Sequence, residues 1–439
     1  MVPRGIFGSD SALPSSPRAG NHVVLAATPS PLHGRRLVVA VAMTAVCMYF
    51  QVHQPYRLRR IQSFRPPSGV DYWDHAKNQE ILDRASRKCY LPTNQLVADL
   101  VRKTDGWFRV AYSLSGVFLE QLEQYRPDVL ASFKELAETG HVEFLAETHY
   151  HSLAGLWDDP AEHRAQIAQH AATVKRLLGV TPTVFRNTEL IYDDRIARTV
   201  DSLGYRAILT EGSERILGER SPNQVYRPSH DGANLKVLLK NYRLSDDVAF
   251  RFSTPGWSEA PLTADKYANW LSQAQGETVN LFMDYETFGE HQWPETGIFQ
   301  FLEHLPAEVR KHPHLGFAWP SEVAAQRPVR DILHVPHAIS WADIERDVSG
   351  WLGNPMQHAC FEELKRLGPV VTATGDPEIV HAWRRLQTSD HLYYCSTKGM
   401  GDGDIHAYFS PYESPYVAFV NYMNALQDLK AKATHAARR

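Results

Sequence analysis

Between residues 45 and 326 short apolar runs alternate with longer stretches of helical character, and that order restricts the fold severely. "AVCMYFQV", "FRVAYSLS", "VEFLAE", "TVFRNTE", "YRAILTEG", "VNLFMDYE" and "LGFAWPSE" read as strands, being short and rich in β-branched and aromatic residues. Residues 75–104 read as helical, as do residues 116–140, with a break near Pro127 and a stop at Gly140. Asp159-Pro160 opens a further helix, "DDRIARTVDSLG" ends one at Gly204, and another runs from Gly297 to Lys311. Alternating strands and helices call for parallel strands joined by right-handed crossovers. About seven units over about 290 residues fit a closed (β/α)7 barrel, an incomplete TIM-like barrel, better than an open sheet. No G-x-G-x-x-G follows the first strand, which takes support from a dinucleotide-binding sheet. "GMGDGD" at 399–404 has no strand before it and reads as a turn.

The character changes after residue 335. "WADIERDVSGWLGNPMQHACFEELKRL", "DPEIVHAWRRLQTSDHLYY" and "SPYVAFVNYMNALQDLKAK" read as helices, so residues 43–335 form the expected barrel and 336–432 a C-terminal helical bundle lent to its cleft. The final "KATHAARR" reads as frayed, and "YRLSDDVAFRF" (242–252) as a loop across the cleft mouth. Residues 1–42 are rich in Pro, Ser and Gly, without periodicity, and read as a disordered extension or a mis-assigned start. Arg35-Arg36 and the uncharged "LVVAVAMTAVCMYF" resemble an export signal. That run is shorter than the ~20 apolar residues of a membrane span, and cleavage after it would remove most of the strand that delivers His53. A cytoplasmic protein with no membrane association is therefore expected. Cys47, Cys89, Cys360 and Cys395 form no C-x-x-C pair and are expected as buried free thiols. A net charge of −4 leaves no basic surplus to neutralise phosphates, so nucleic acid is not an expected partner.

In a parallel β/α barrel the site lies at the C-terminal ends of the strands. Here the first strand ends in His53-Gln54, and the third in Glu147, His149 and His151. The fourth ends in Asn187-Thr188-Glu189, and the fifth in Thr210-Glu211. A later one ends in Asp284, Glu286, Glu290, His291 and Trp293. One loop carboxylate is ordinarily solvated, but this many at one topological level define a rim. There is no G-x-S-x-G, P-loop or H-E-x-x-H, so those nucleophile, nucleotide and zinc chemistries lose their usual signatures. His149 and His151 lack an identifiable third ligand, so neither metal nor cofactor is expected. A metal-dependent deacetylase would need a His-x-x-x-His pair beside an early Asp, and none is found. Two carboxylates flanking one bond is the arrangement of glycoside hydrolysis, one ionised to attack and one protonated to donate.

"FQVHQPYRLRR", "GHVEFLAETHYHSL", "FRNTELIYDD", "FMDYETFGEHQW" and "ERDVSGWLGN" resemble, in order, the motifs of glycoside hydrolase family 57, closest to its α-amylase-type members. The resemblance spans residues 45 to 427 and implies a (β/α)7 barrel, a following helical region, and a retaining double displacement on α-linked glucans. It implies Glu189 as nucleophile and Asp284 as general acid/base. It places His53, His291, Trp293 and Trp351 along the sugar-binding cleft, and the strand-end reading adds Gln54, Glu147, His149, Glu211 and Glu286 as substrate-binding candidates, with Asp390 of the C-terminal helices. The implied partner is an α-glucan or maltooligosaccharide. A 4-α-glucanotransferase or branching enzyme would use the same intermediate, and a barrel that binds glucan without turning it over keeps the same frame.

Overall fold

The structure, a computed structural model, describes residues 43–399 and 406–438. The first half runs β1 (Thr44–Val52), α1 (His75–Ala85), α2 (Leu91–Lys103), β2 (Val110–Leu114), α3 (Gly116–Tyr125), α4 (Pro127–Glu138), β3 (Val142–Phe144), α5 (Ala161–Leu178), β4 (Val184–Arg186), α6 (Asp194–Ser202) and β5 (Ala207–Glu211). Next come α7 (Glu214–Leu217), β6 (Val225–Pro228), β7 (Lys236–Lys240), α8 (Tyr242–Ala249), α9 (Ala264–Gln273), β8 (Thr278–Asp284), α10 (Ile298–Arg310), β9 (Leu315–Phe317), α11 (Pro320–Gln326) and β10 (Val329–Leu333). The C-terminal part holds α12 (Ser349–Leu352), α13 (Pro355–Ala373), α14 (Pro377–Leu386), α15 (Asp390–Tyr393) and α16 (Pro415–Ala436).

Seven parallel strands make a ring. β1 pairs with β2 and with β8, β2 with β3, β4 with β5, and β5 with β7. A single parallel bridge, Ala146 to Phe185, joins the β3 side to β4. Between β7 and β8 the link is one amide, Asn241 N–H donating to Asn280 O at 2.8 Å, reinforced by Asn280 Nδ2 donating to Leu239 O at 2.8 Å. Asn280 thus replaces a ladder with its side chain, an economical way to close a short seam.

All nine residues of β1 are buried, which is why it reads as a continuous apolar run rather than an alternating one. Alternation survives in where the side chains go. Val46, Met48, Phe50 and Val52 join the cluster beneath the helices, with Leu100, Phe118 and Leu302. Ala45, Cys47 and Tyr49 point into the barrel, where they pack with Leu145, Val184, Leu209, Leu238 and Phe282. This interior cluster plugs the barrel. Above it the polar atoms begin: Tyr49 hydroxyl lies 2.8 Å from Gln51 Oε1 and 2.9 Å from Ser113 Oγ. The plug therefore forms the floor of the site.

Several expectations need correction. β6 and β7 form an antiparallel pair that the alternating pattern did not announce. Residues 242–249 are α8, capped by Asn241, and not a loop. Glu286 is not on the strand with Asp284, because β8 stops at Asp284 and a tight turn follows. Residues 341–348 are irregular, so the long helix expected there starts only at Pro355. The C-terminal tail stays helical to Ala436. The extension before residue 43 and all but Gly399 of "GMGDGD" lie outside the described residues.

The C-terminal helices share a core with the barrel. Ile196, Ala197 and Val200 of α6 belong to one cluster with Phe361 and Leu364 of α13, Trp383 of α14 and Leu426 of α16. All four cysteines are buried and free. Among the described residues no helix is long and apolar enough to cross a membrane.

Candidate active site

Glu189 sits three residues beyond β4, on a turn with φ 55° and ψ 28°, and Leu190 follows at φ 53°. Left-handed conformation is unfavourable for residues with a Cβ and must be held by surroundings. The surroundings are visible: Asn187 Nδ2 donates to Ile191 O at 3.0 Å, and Thr188 Oγ1 meets Thr148 Oγ1 at 2.7 Å. Leu190 is fully buried in the barrel plug. Both Glu189 oxygens are gripped, Oε1 by His151 Nε2 at 2.9 Å and Oε2 by Trp341 Nε1 at 2.7 Å. Each oxygen keeps a second lone pair, so the carboxylate is oriented without being consumed.

His151 is itself left-handed (φ 50°) and turns its ring inward between two carboxylates. Its Nδ1 faces Glu147 Oε2 at 3.0 Å. Carboxylates only accept, so the arrangement fits a doubly protonated imidazole donating to both. Burial pulls the imidazole pKa down, but the hydrogen bonds to Glu147 and Glu189 outweigh it and push it up to about 9. Burial likewise raises both carboxyls, and His151 reverses it, with Glu147 held at about 2 and Glu189 below its ordinary value. Glu147 is wholly buried, so it reaches the cleft only through His151. Its Oε1 takes hydrogen bonds from Ser113 Oγ at 2.9 Å and Gln51 Nε2 at 3.3 Å.

Asp284 faces this assembly from the end of β8, level with Gln51 of β1. Burial and then the negative charge of Glu189 raise its carboxyl to about 6. Glu286, in the turn that follows, is raised to about 8 by burial and by Asp284, and it accepts from the Tyr90 hydroxyl. Gln54 completes that pair, its Nε2 lying 3.3 Å from the Tyr90 oxygen.

His53 closes the near side. Its ring stacks on His151 with centroids 3.9 Å apart and 18° between planes. Nδ1 lies 2.7 Å from Ser115 Oγ and Nε2 lies 2.9 Å from Asp390 Oδ2. Two stacked cations would repel, and the Ser115 hydroxyl can donate to Nδ1, so His53 is neutral with its proton on Nε2. Burial and the charge of His151 push the His53 pKa down, in agreement. Asp390 is held ionised: burial opposes this, and the hydrogen bond donated by neutral His53 together with the charge of His151 outweigh it.

The remaining candidates scatter. Glu211 is buried at the end of β5, its Oε1 taking the Gly212 N–H at 2.6 Å, with Lys240 Nζ 3.7 Å from Oε2. Lys240 also bonds Asp246 Oδ1 at 2.8 Å and lies 5.3 Å from the Trp341 ring. His149 turns away from the cleft to pair with Glu120 of α3 at 3.0 Å. Trp351 is buried against Tyr393 at 5.5 Å. Trp293 is exposed with Lys88 5.5 Å from its ring, and half-buried His291 lies 6.1 Å from the exposed Phe409. Four residues central to the geometry had no role assigned from sequence: His151, Arg186, Trp341 and Lys240. His151 and Arg186 lie within the quoted motifs, and their direction of approach was the missing information. Among the described residues, no group of three or more His, Cys, Asp or Glu side chains is placed to hold a metal ion.

The sequence matches glycosyl hydrolase family 57 over residues 47–336. A protein of Methanocaldococcus jannaschii described as "Putative alpha-amylase" is 47% identical over 392 residues, 87% of this chain and 83% of that one. A GH57 branching enzyme from Thermococcus kodakaraensis has a similar structure, with TM-score 0.65 at 14% identity over 88% of this chain and 89% of that one. The 4-alpha-glucanotransferase of Thermococcus litoralis is similar at TM-score 0.60 and 16% identity, over 87% of this chain and 59% of that one. The chain belongs to glycosyl hydrolase family 57 and is a glycosidase.

Proposed function

We propose that this glycosidase cleaves α-1,4-linked glucans by a retaining double displacement, in the manner of an α-amylase. The observation that carries the reading is the opposed protonation of Glu189 and Asp284 at one strand-end rim: the first is held ionised and the second is pushed toward its acid form. Glu189 attacks the anomeric carbon while Asp284 gives its proton to the departing glycosidic oxygen. Asp284, now ionised, takes a proton from water, whose oxygen attacks the same carbon and releases Glu189. His151 and Trp341 hold the nucleophile at a fixed angle, and His53, Asp390 and Gln54 offer polar atoms to sugar hydroxyls. The free buried cysteines support a reducing, cytoplasmic place of action for this reading.

Product analysis on maltoheptaose and soluble starch tests it. Wild type is expected to give shorter maltodextrins, and folded Glu189→Ala and Asp284→Asn are expected to lose activity by about 10³-fold or more. Products longer than the substrate would assign the chain to glucanotransfer, and new branch points to a branching reaction. Binding without turnover would leave a glucan-binding barrel.

A further inference from the structure

Arg186 ends β4, three positions before Glu189. Its side chain is without solvent exposure, and none of its three nitrogens has a hydrogen-bond acceptor among the described residues. Glu147 Oε2 lies 3.9 Å from Nη1, and the Trp341 ring lies 5.0 Å from Cζ. A buried guanidinium with unused donors costs stability, and it cannot shed its proton to escape that cost. Where arginine serves packing it normally forks onto carboxylates or carbonyls, and here it forks onto none. What remains for it to supply is charge. The ring it lies against, Trp341, bonds Glu189 Oε2 at 2.7 Å, and Arg186 stands at the strand end that leads into Glu189, so the charge acts on Glu189 and, across the rim, on Asp284.

The other groups facing the pair each have a different commitment. Tyr49 of β1 is neutral and tied to Gln51 and Ser113. His151 is shared between Glu147 and Glu189, and it is a cation only while protonated. Lys240 of β7 is bonded to Asp246. Glu286, beyond β8, is bonded by Tyr90. Arg186 is the permanent cation of the set that makes no competing hydrogen bond.

We propose that Arg186 is a positioning residue of the reaction, a fixed buried cation that holds Glu189 ionised and limits how tightly Asp284 keeps its proton. The proposal rests on the double-displacement reading of these two carboxyls. Losing the cation raises both carboxyl pKa values, so both limbs of the pH profile of kcat/KM move the same way, toward alkaline pH. A packing role would lower the rate and leave the limbs in place.

The test compares Arg186→Met and Arg186→Gln with Arg186→Lys. Both neutral variants are expected to move the two limbs alkaline by about 0.5–1 pH unit, while Arg186→Lys keeps them at the wild-type positions. In parallel, 13C carboxyl shifts of the free protein are titrated, with Glu189 and Asp284 assigned through Glu189→Gln and Asp284→Asn. The titration needs no substrate, so a wild type inert on glucans would end the functional reading while the Arg186 inference is still decided. Carboxyl pKa values in the neutral variants equal to wild type would overturn it. So would failure of both neutral variants to fold, because Arg186 would then be holding the structure.

Discussion

His151 owns both protons it shares with Glu147 and Glu189, and this one residue couples stability to catalysis. Its folded pKa is raised from 6.5 to about 9, so its contribution is fully present below pH 6.5 and is lost as pH rises through 9. Glu147 is lowered from 4.5 to about 2, so its contribution is present above pH 4.5 and is lost as pH falls through 2. Thermal melts are expected to peak between these limits and to drop at pH 9.5. In a His151→Gln variant the alkaline drop should flatten, with about 3 kcal/mol lost at pH 6 because buried Glu147 and part-buried Glu189 lose the imidazolium between them. An unchanged pH dependence in that variant would refute the assignment. Activity has its own sign. Asp284 must be protonated, and its carboxyl sits near 6, so kcat/KM is expected to fall as pH rises past about 6. A plateau extending to pH 8 would mean that another group, such as Glu286 at about 8, supplies the proton. Among single residues, Glu189, Asp284 and His53 were legible by their place after strands. His149 and His151 were not separable, because one left-handed turn sends the first outward to Glu120 and the second inward.

At the scale of elements, the site is positioned by short, capped connections. Ser115 caps α3 by accepting the Phe118 N–H, and its hydroxyl also meets His53. The next residue, Gly116, leaves no room for a side chain: a Cβ there would lie 2.2 Å from His149 Nδ1. Gly116→Ala is therefore expected to cost about 1–3 kcal/mol and to disturb the cap that aims His53. Calorimetry and kcat/KM should fall together, and an unperturbed melting temperature would contradict the close approach. Strands such as β1 and β8 were readable because both faces are covered and their residues are mostly apolar. β7 was not, since it is reached through an antiparallel partner rather than a crossover helix. The reading of α8 failed because its acids, Asp246 and Asp247, resemble a loop. In the fold Asp246 serves Lys240, and Asp247 bonds Arg251 Nε at 2.7 Å.

Over the whole molecule, the helical C-terminal part completes both core and cleft. Trp341 reaches Glu189, Asp390 reaches His53, and Arg385 bonds Glu120 at 2.8 Å, the carboxylate that also holds His149. With α6, α13, α14 and α16 in one apolar cluster, barrel and helices are expected to unfold in a single transition, with near-ultraviolet dichroism and tryptophan fluorescence coinciding. Two resolved transitions would separate them. By itself the sequence determined the alternation of strands and helices outside β6, β7 and α8, the parallel barrel and the rim on which the carboxylates sit, because hydrophobic periodicity and chain order are local properties. Only the tertiary structure decided which carboxylate is ionised, which histidine enters the cleft, and that Trp341 and Arg186 converge on Glu189. Proton affinity and direction of approach depend on burial and on charges contributed by residues distant in the chain, and no local pattern encodes them.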